Sequence, residues 1–317
     1  MSDWRPTISL KDLQARATVL AQIRKFFARH AVLEVETPLA CSHTVTEPNI
    51  ESFAIAAQPR RYLQTSPEYS MKRLLAAGAP DIYQICKSFR QGELGRYHNP
   101  EFTLIEWYRL GYSLEQMMQE TVALIMEVVA SKEATKPVQY MSYNECFANA
   151  LGTSFTELNE QDFDRLVTQH GLQSEQSLSR AQKIDFIFSN MIATQFDATA
   201  ITCIYHYPAE QAALAKINAD NPNVAERFEV FCGAVELANG YVELVEADIQ
   251  LARFEYDQQI RQAGGLEHVE IDQRLLDAQK CGLPDCAGVA VGLDRLLMLA
   301  LNAEKIEEVM SFSWENA

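Results

Sequence analysis

The stretch FRQGELGRYHNPEFTLIEWY, residues 89–108, decides the fold class of this 317-residue chain. The runs on either side of its centre, residues 82–86 and 102–108, are rich in β-branched and aromatic side chains. Between them, two glycines and the dipeptide Asn99-Pro100 mark a turn. The pattern therefore predicts two strands joined by a long loop.

The predicted loop carries an unusual density of charge, from Arg90, Glu93, Arg96, His98 and Glu101. A planar guanidinium at the end of a strand is well placed to hold a phosphate group bidentately. The alternative is a solvated hairpin loop with surface ion pairs, and a single loop of this kind favours that alternative. The choice between a phosphate-binding loop and a solvated loop depends on whether the rest of the chain contains further residues that could bind a phosphate or its metal ion.

Composition limits the class of protein. Apolar residues make up 48% and charged residues 22% of the chain, which is typical of a soluble globular protein. The net charge of −16 argues against a global nucleic-acid-binding footprint. We find no signal-peptide pattern and no apolar window suited to crossing a membrane. Seven scattered cysteines without a CxxC pair favour reduced thiols in a cytoplasmic protein over disulfides or a zinc site.

The order of elements predicts one large core with an insertion. A long amphipathic helix from Leu10 to about Ala31 leads into a short strand ended by Pro38. Residues 131–200 are more polar and contain helical patches without assignable chemistry, so we interpret them as an insertion that packs on the core. Strand-like runs return near residues 202–208, 226–243 and 286–292.

Two groups of acidic residues could serve chemistry. Glu68 follows Ser66-Pro67 where a strand passes into a helix, so it could meet a substrate ammonium or act only as a first-turn acid. Glu236 and Glu243 flank a predicted turn. Facing carboxylates of this kind can hold Mg²⁺ while it bridges triphosphate oxygens, although solvent-facing strand residues are the simpler explanation for an isolated pair.

The chain ends in a strand of small and apolar residues that includes Ala290 and Gly292 and runs into Asp294-Arg295. Small residues in a strand allow a ligand or another backbone to approach closely. Arg295 is a second candidate for binding phosphate. The same pattern also suits tight packing of a helix on a sheet.

The helix that leads to Pro38, the hairpin opened by Arg90 and the strand that ends in Asp294-Arg295 occur in a fixed order. This order resembles the three signature motifs of class II aminoacyl-tRNA synthetases. The sequences SPE at residues 66–68, RYHNPEF at 96–102 and ELANG at 236–240 are similar to those of the lysyl-tRNA synthetase branch. The resemblance implies an α+β catalytic core, with a mostly antiparallel sheet flanked by helices, that spans residues 1–317 as a single domain with a helical insertion at about 131–200.

Two departures from the lysyl-tRNA synthetase pattern indicate a particular branch of the family. Only about ten residues precede the first helix, so we expect no anticodon-binding domain. Ser66 stands where those synthetases typically have alanine, and Ala290 where they typically have glycine. One methyl group in a binding pocket changes the discrimination between two similar substrates by about 1–3 kcal/mol. Both departures resemble the elongation factor P–lysine ligases, which are truncated paralogues of lysyl-tRNA synthetase.

That resemblance implies ATP-dependent activation of (R)-β-lysine, or lysine, as an aminoacyl-adenylate, and its transfer to a lysine of elongation factor P and not to tRNA. It also implies a homodimer. The residues expected to bind the substrate are Ser66, Pro67, Glu68, Glu106, Tyr108, Glu243 and Ala290. Those expected to line ATP are Arg90, Gln91, Gly92, Glu93, His98, Asn99, Phe102, Glu236, Leu237, Gly292 and Arg295. The catalytic set is Arg90, Glu236, Glu243 and Arg295, with Mg²⁺ held by Glu236 and Glu243.

One position departs from the second sequence motif of the family. Class II enzymes usually place glutamate two residues after the arginine of the second motif, whereas this chain has Gly92 there and Glu93 one residue later. Either Glu93 turns inward, or the backbone or Gln91 makes the contact. Two competing hypotheses are an amino-acid ligase that makes a small-molecule product and a non-catalytic module that binds lysine and ATP.

Overall fold

The structure is a computed structural model that describes residues 4–129, 136–171 and 178–317. Two compact units divide the chain, one formed by residues 1–134 and 242–317 and the other by residues 135–241. The helices are α1 (Leu10–Arg29), α2 (Glu68–Ala76), α3 (Leu114–Val129), α4 (Tyr143–Leu151), α5 (Glu160–Gln169), α6 (Arg180–Ile187), α7 (Ala247–Ala263), α8 (Gln273–Gly282) and α9 (Leu293–Leu301). The strands are β1 (Leu33–Glu34), β2 (Ala40–Cys41), β3 (Ala54–Ile55), β4 (Arg61–Leu63), β5 (Ile82–Phe89), β6 (Glu101–Leu110), β7 (Val138–Ser142), β8 (Ile201–Tyr205), β9 (Arg227–Cys232), β10 (Val235–Val242) and β11 (Cys286–Gly292).

The first unit is built around a sheet in the order β1, β5, β6, β11. Strand β1 is parallel to β5, whereas β5 with β6 and β6 with β11 are antiparallel. The predicted hairpin is confirmed, because β5 and β6 pair along their whole length on either side of the charged loop. A small antiparallel sheet of β2, β4 and β3 completes this unit.

Helix α1 covers the first unit's core with one apolar face. The side-chain oxygen of Ser9 accepts a hydrogen bond from the backbone N–H of Asp12 and caps the helix. Its buried side chains recur at helical spacing, namely Val19, Ile23, Phe26 and Phe27. The helix ends at Arg29, two residues before the predicted end, because Ala31 takes a left-handed conformation.

The second unit contains strands as well as helices. Strands β10, β9 and β8 are antiparallel neighbours, and β7 is parallel to β8. Residues 131–135 and 172–177 of the predicted helical insertion lie outside the described residues. The rest of that insertion contains β7, α4, α5 and α6, and it ends just before β8. The single catalytic domain with an insertion stays a prediction, and the α+β class with mostly antiparallel strands is confirmed.

In the described part of the chain, no helix combines the length and apolar character needed to cross a membrane. All seven cysteines are free thiols.

A buried ion pair joins the first helix to the last. Arg16 on α1 lies 2.6 Å from Asp294 at the start of α9, and the side chain of Asp294 is only 2% exposed. The other carboxylate oxygen of Asp294 accepts a hydrogen bond from the Thr103 backbone N–H at 2.7 Å, and Arg16 also donates to the Thr103 hydroxyl. This network attaches α1, β6 and α9 to one another at the residue that precedes Arg295.

We predict that Arg16→Met lowers the free energy of unfolding by about 3 kcal/mol, because it leaves Asp294 as a buried carboxylate without its cation. Urea denaturation followed by circular dichroism measures the change. Arg24→Met on the same helix is the matched control, since the ion pair of Arg24 with Glu34 is exposed and contributes about 0.5 kcal/mol or less. Equal losses in the two variants would contradict a structural role for the buried pair.

Candidate active site

The centre of the site is set by the register of β6 against β11. Glu106 lies opposite Ala290, and Tyr108 lies opposite Gly288. Opposite residues of an antiparallel pair point to the same face, so two functional side chains of β6 stand beside two small residues of β11. A Cβ atom at Gly288 would overlap both the Tyr108 ring and Oε1 of Glu243. Only glycine therefore lets these two side chains approach β11.

Glu106 is buried and hydrogen-bonded at both oxygens. The Tyr108 hydroxyl donates to Oε1 at 2.7 Å and the Ser66 hydroxyl donates to Oε2 at 2.9 Å. Burial, together with the charges of Glu68 and Glu243, raises the pKa of Glu106 to about 8, although the two hydrogen bonds oppose the shift. Near neutral pH, this raised pKa favours the protonated form of Glu106.

The segment Ser66-Pro67-Glu68 positions the start of α2. The backbone N–H of Glu68 donates to the Ser66 hydroxyl oxygen at 3.0 Å, so Ser66 links the helix start to Glu106. Ser66 and Glu68 also line a cavity of about 280 Å³, which reaches Arg61 and Arg73. The Glu68 side chain is 17% exposed, so the segment can be reached from solvent.

Lys72 is a buried cation that the sequence analysis missed. Its Nζ atom lies 2.5 Å from Glu68 and 2.6 Å from Glu243, and its side chain is 1% exposed. Burial alone would lower the pKa of Lys72, but the charges of Glu243 and Glu68 more than reverse this, so its pKa is raised. The spacing of four residues between Glu68 and Lys72 was the available signal, since such residues meet on one face of a helix.

Glu243 completes the acidic pocket, the name used below for Ser66, Glu68, Lys72, Glu106, Tyr108 and Glu243. It follows β10, and its backbone N–H donates to the carbonyl oxygen of Cys286 on β11 at 2.9 Å. Burial raises the pKa of Glu243, and the ion pair with Lys72 opposes that shift. Because its carboxylate is already paired with a buried ammonium, Glu243 suits a site for amines better than a site for a metal ion.

Arg90 and Phe102 lie together at the open end of the hairpin. The guanidinium carbon of Arg90 is 5.2 Å from the centre of the Phe102 ring, and the side chain of Glu93 is 3.6 Å from Arg90. Gly92 has a φ of +83°, a conformation that side chains rarely adopt. This conformation favours glycine at position 92, where class II enzymes usually have glutamate. Glu93, the next residue, lies beside Arg90. The backbone N–H of Gln91 is bound to the carbonyl oxygen of Glu51.

Arg295 meets the far side of the same loop. Its Nε donates to the carbonyl oxygen of Tyr97 at 3.1 Å, and its Nη2 lies 2.7 Å from Nε2 of His98. Burial and the neighbouring guanidinium of Arg295 lower the pKa of His98, so the imidazole is neutral and its Nε2 can accept a hydrogen bond from Arg295. Gly292, the residue before α9, lies beside the Arg295 side chain, since a Cβ atom at Gly292 would be 3.7 Å from Cδ of Arg295.

Asn99 supports the loop through backbone contacts. Its side-chain nitrogen donates to the carbonyl oxygen of Glu101 at 2.6 Å, and its side-chain oxygen accepts from the backbone N–H of Trp314 at 3.0 Å. With 4% of its surface exposed, it fixes the turn that presents Phe102. A direct role of Asn99 toward ATP stays a prediction.

Glu236 and Leu237 belong to the second unit. A β-bulge between Glu236 and Ala238 interrupts the pairing of β10 with β9, and Leu237 at that bulge is buried. Burial and the charge of Glu236 raise the pKa of Glu229 on the neighbouring strand, although Arg227 opposes the shift. Because Glu236 and Glu243 fall in different units, their predicted joint role as Mg²⁺ ligands stays a prediction.

We predict that Glu106→Gln changes how stability depends on pH. The folded pKa of about 8 lies above the ordinary value of 4.5, so folded Glu106 binds more protons than unfolded Glu106 between these values. Its contribution therefore becomes less favourable as pH rises, and from pH 5 to 9 the variant should gain on the order of 3 kcal/mol relative to the parent chain. Denaturant unfolding of the ligand-free protein at several pH values measures this difference.

The control for this prediction is Glu101→Gln, on the same strand, whose carboxylate is 41% exposed and pairs with Lys87. It should show no comparable dependence on pH. A difference between Glu106→Gln and the parent that is constant from pH 5 to 9 would contradict the buried, protonated state of Glu106.

Comparisons with known proteins identify the family. Residues 2–316 match the family model described as tRNA synthetases class II (D, K and N). The chain is 44% identical to the elongation factor P–(R)-β-lysine ligase of Vibrio cholerae, over 100% of this chain and 99% of that protein. It is 40% identical to the ligase of the same name from Haemophilus ducreyi and 41% identical to that from Mannheimia succiniciproducens, with at least 97% of every chain covered. The chain therefore belongs to the class II tRNA-synthetase family, in the branch of the elongation factor P–(R)-β-lysine ligases.

Proposed function

We propose that this protein activates (R)-β-lysine, or lysine, with ATP as an aminoacyl-adenylate and transfers the aminoacyl group to a lysine of elongation factor P. The observation that carries the proposal is the acidic pocket, in which Glu68, Glu106 and Glu243 converge with Tyr108 beside a glycine that no side chain can replace. The names of the relatives support the same substrate and partner.

The acidic pocket suits a substrate with two ammonium groups. A buried cation is stable only when it is paired and hydrogen-bonded, so two ammonium groups need more than one carboxylate. Ser66 and Glu68 would face the amine closer to the substrate carboxylate, and Glu106, Tyr108 and Glu243 would face the terminal amine. Ala290, opposite Glu106, adds a methyl group beside this pocket and would limit the shape of the carbon chain.

The nucleotide would bind at the open end of the hairpin. Phe102 would stack on adenine, and Arg90 would hold the α-phosphate as the substrate carboxylate attacks phosphorus and pyrophosphate leaves. Arg295, oriented by Tyr97 and His98, would bind the γ-phosphate or pack over adenine. His98, Gln91 and Glu93 would line the same site.

Mg²⁺ would reduce the charge repulsion within the triphosphate. Glu236 fits this ion because it is a half-buried carboxylate on a strand. Glu243 fits less well because Lys72 already neutralises it.

In the second step, the amine of an elongation factor P lysine attacks the carbonyl carbon of the adenylate. An amide bond forms, the bond to the phosphate oxygen breaks and AMP leaves, while the amine loses a proton to solvent. Holding the two reactants together supplies most of the acceleration, so this enzyme needs no nucleophilic side chain of its own.

We also infer a homodimer that uses the region of α1 and β1. Strand β1 has a partner on one side only within the first unit's sheet. Leu10, Leu33 and Leu39 near these elements are 74%, 51% and 40% exposed, respectively. Apolar side chains around an uncovered edge are typical of a surface that another subunit covers.

ATP–pyrophosphate exchange tests the first step. We predict exchange that depends on (R)-β-lysine and is weaker with α-lysine, and loss of about 100-fold in Arg90→Ala because a charged contact to the transition state is removed. Arg96→Ala in the same loop, whose guanidinium is exposed and bonds the carbonyl oxygen of Glu304, is the matched control.

A second arm follows labelled (R)-β-lysine in the presence of elongation factor P and bulk tRNA. The proposal expects label on the protein. Label on tRNA would contradict transfer to elongation factor P, a small labelled product would favour the amino-acid ligase, and no exchange with either lysine isomer would favour a non-catalytic binding module.

A further inference from the structure

Lys72 has no part in the function proposed above, although it is among the least exposed charged residues of the described chain. It lies on α2 one turn after Glu68, and its ammonium touches the two carboxylates expected to recognise different amines of the substrate. A lysine that only stabilised the fold would not need to occupy the substrate pocket. Its position therefore calls for an explanation in terms of recognition.

The groups that share the acidic pocket with Lys72, or lie near it, come from four elements. Glu68 lies on α2, Glu106 and Tyr108 on β6, and Glu243 just after β10. Cys286 on β11 is buried near Lys72 and Glu243, and burial keeps it a neutral thiol by raising its pKa. Lys72 is therefore the cation that the described residues supply within a group of three carboxyls.

We propose that Lys72 is a positioning residue that holds Glu68 and Glu243 as a fixed pair and adjusts the charge of the acidic pocket to a substrate with two ammonium groups. This inference rests on the proposed function and extends it to the basis of specificity.

The contacts of Lys72 leave one oxygen of each partner for the substrate. It binds Oε1 of Glu68 and Oε2 of Glu243. Oε1 of Glu243 points to the Gly288 side, where the Tyr108 ring also lies. Oε2 of Glu68 has no hydrogen bond within the described residues. The two carboxylates are thus prevented from turning toward each other, and their outer oxygens remain available.

The net charge follows from the same contacts. With all three carboxyls ionised and Lys72 protonated, the pocket carries two negative charges, which two ammonium groups neutralise. Without Lys72, one more carboxyl would take up a proton, because like charges in a dry pocket cannot all remain ionised. A substrate with two ammonium groups would then have to displace that extra proton, and its binding would weaken as pH falls.

The test is Lys72→Met, which keeps the length of the side chain and removes its charge. Kinetics of ATP–pyrophosphate exchange are measured with the preferred lysine isomer and with 6-aminohexanoate, which has one ammonium group, from pH 6.5 to 9. We expect KM for the lysine isomer to rise about tenfold at pH 7, the equivalent of one pKa unit, and to recover toward pH 9. Turnover should change less than about threefold, and KM for 6-aminohexanoate should change little, since a single ammonium does not require the extra proton to leave.

Two further variants keep the result interpretable. Lys87→Met on β5 removes an exposed ammonium that is paired with Glu101, and it should leave both KM values unchanged. If Lys72→Met does not fold, Glu68→Gln combined with Lys72→Met restores the charge of the pocket. This double variant should fold, and its KM for the lysine isomer should vary with pH no more than that of the parent protein.

A folded Lys72→Met protein with unchanged KM, or with the same loss for both substrates at every pH, would overturn the inference and leave the proposed function intact. A double variant that stays unfolded would also overturn it, because charge balance would then not be what Lys72 provides. Absence of exchange by the parent protein with either lysine isomer would instead overturn the proposed function, and the inference with it.

Discussion

Three carboxyl groups that lie close together, two of them buried, repel one another, and the structure depends on how that repulsion is relieved. Lys72 neutralises part of it by contacting Glu68 and Glu243 at 2.5 and 2.6 Å, and Glu106 relieves the remainder by holding a proton. The backbone accommodates the group because Gly288 leaves room on β11 for Glu243 and Tyr108. An arrangement this costly in desolvation is expected where a cationic ligand supplies the missing charge.

The nucleotide side of the site relies on a different constraint, which is the fixed position of the loop between β5 and β6. Asn99 is bonded to the backbone on both of its polar atoms, and Arg295 is bonded to Tyr97 and His98. Asp294, next to Arg295, is tied through Arg16 and Thr103 to α1 and β6. Guanidinium groups held in advance cost little further ordering when a phosphate binds, which favours their proposed role.

Sequence patterns predicted the parts of the site that follow from periodicity and local turns. The hairpin could be found from its apolar runs and its turn residues. Glu106 and Tyr108 were expected from the family resemblance, and their spacing of two residues agrees with one face of β6. The contact of Lys72 with Glu243 and the need for glycine at position 288 could not be found in this way, because both depend on which strand and helix meet across the sheet. The expectation that Asn99 lines ATP stays a prediction, and its two backbone contacts add a support for the loop that the family motif did not reveal.

The most direct test of the account is the number of protons released when (R)-β-lysine or α-lysine binds to the ligand-free protein. Isothermal titration calorimetry near pH 7, repeated in buffers with different ionisation enthalpies, measures this number. We expect release of about one proton per site, because the raised pKa of Glu106 favours its protonated form before the ligand binds, and the carboxyl must ionise to pair with an ammonium group. Binding without proton release, or no binding of either isomer, would contradict it.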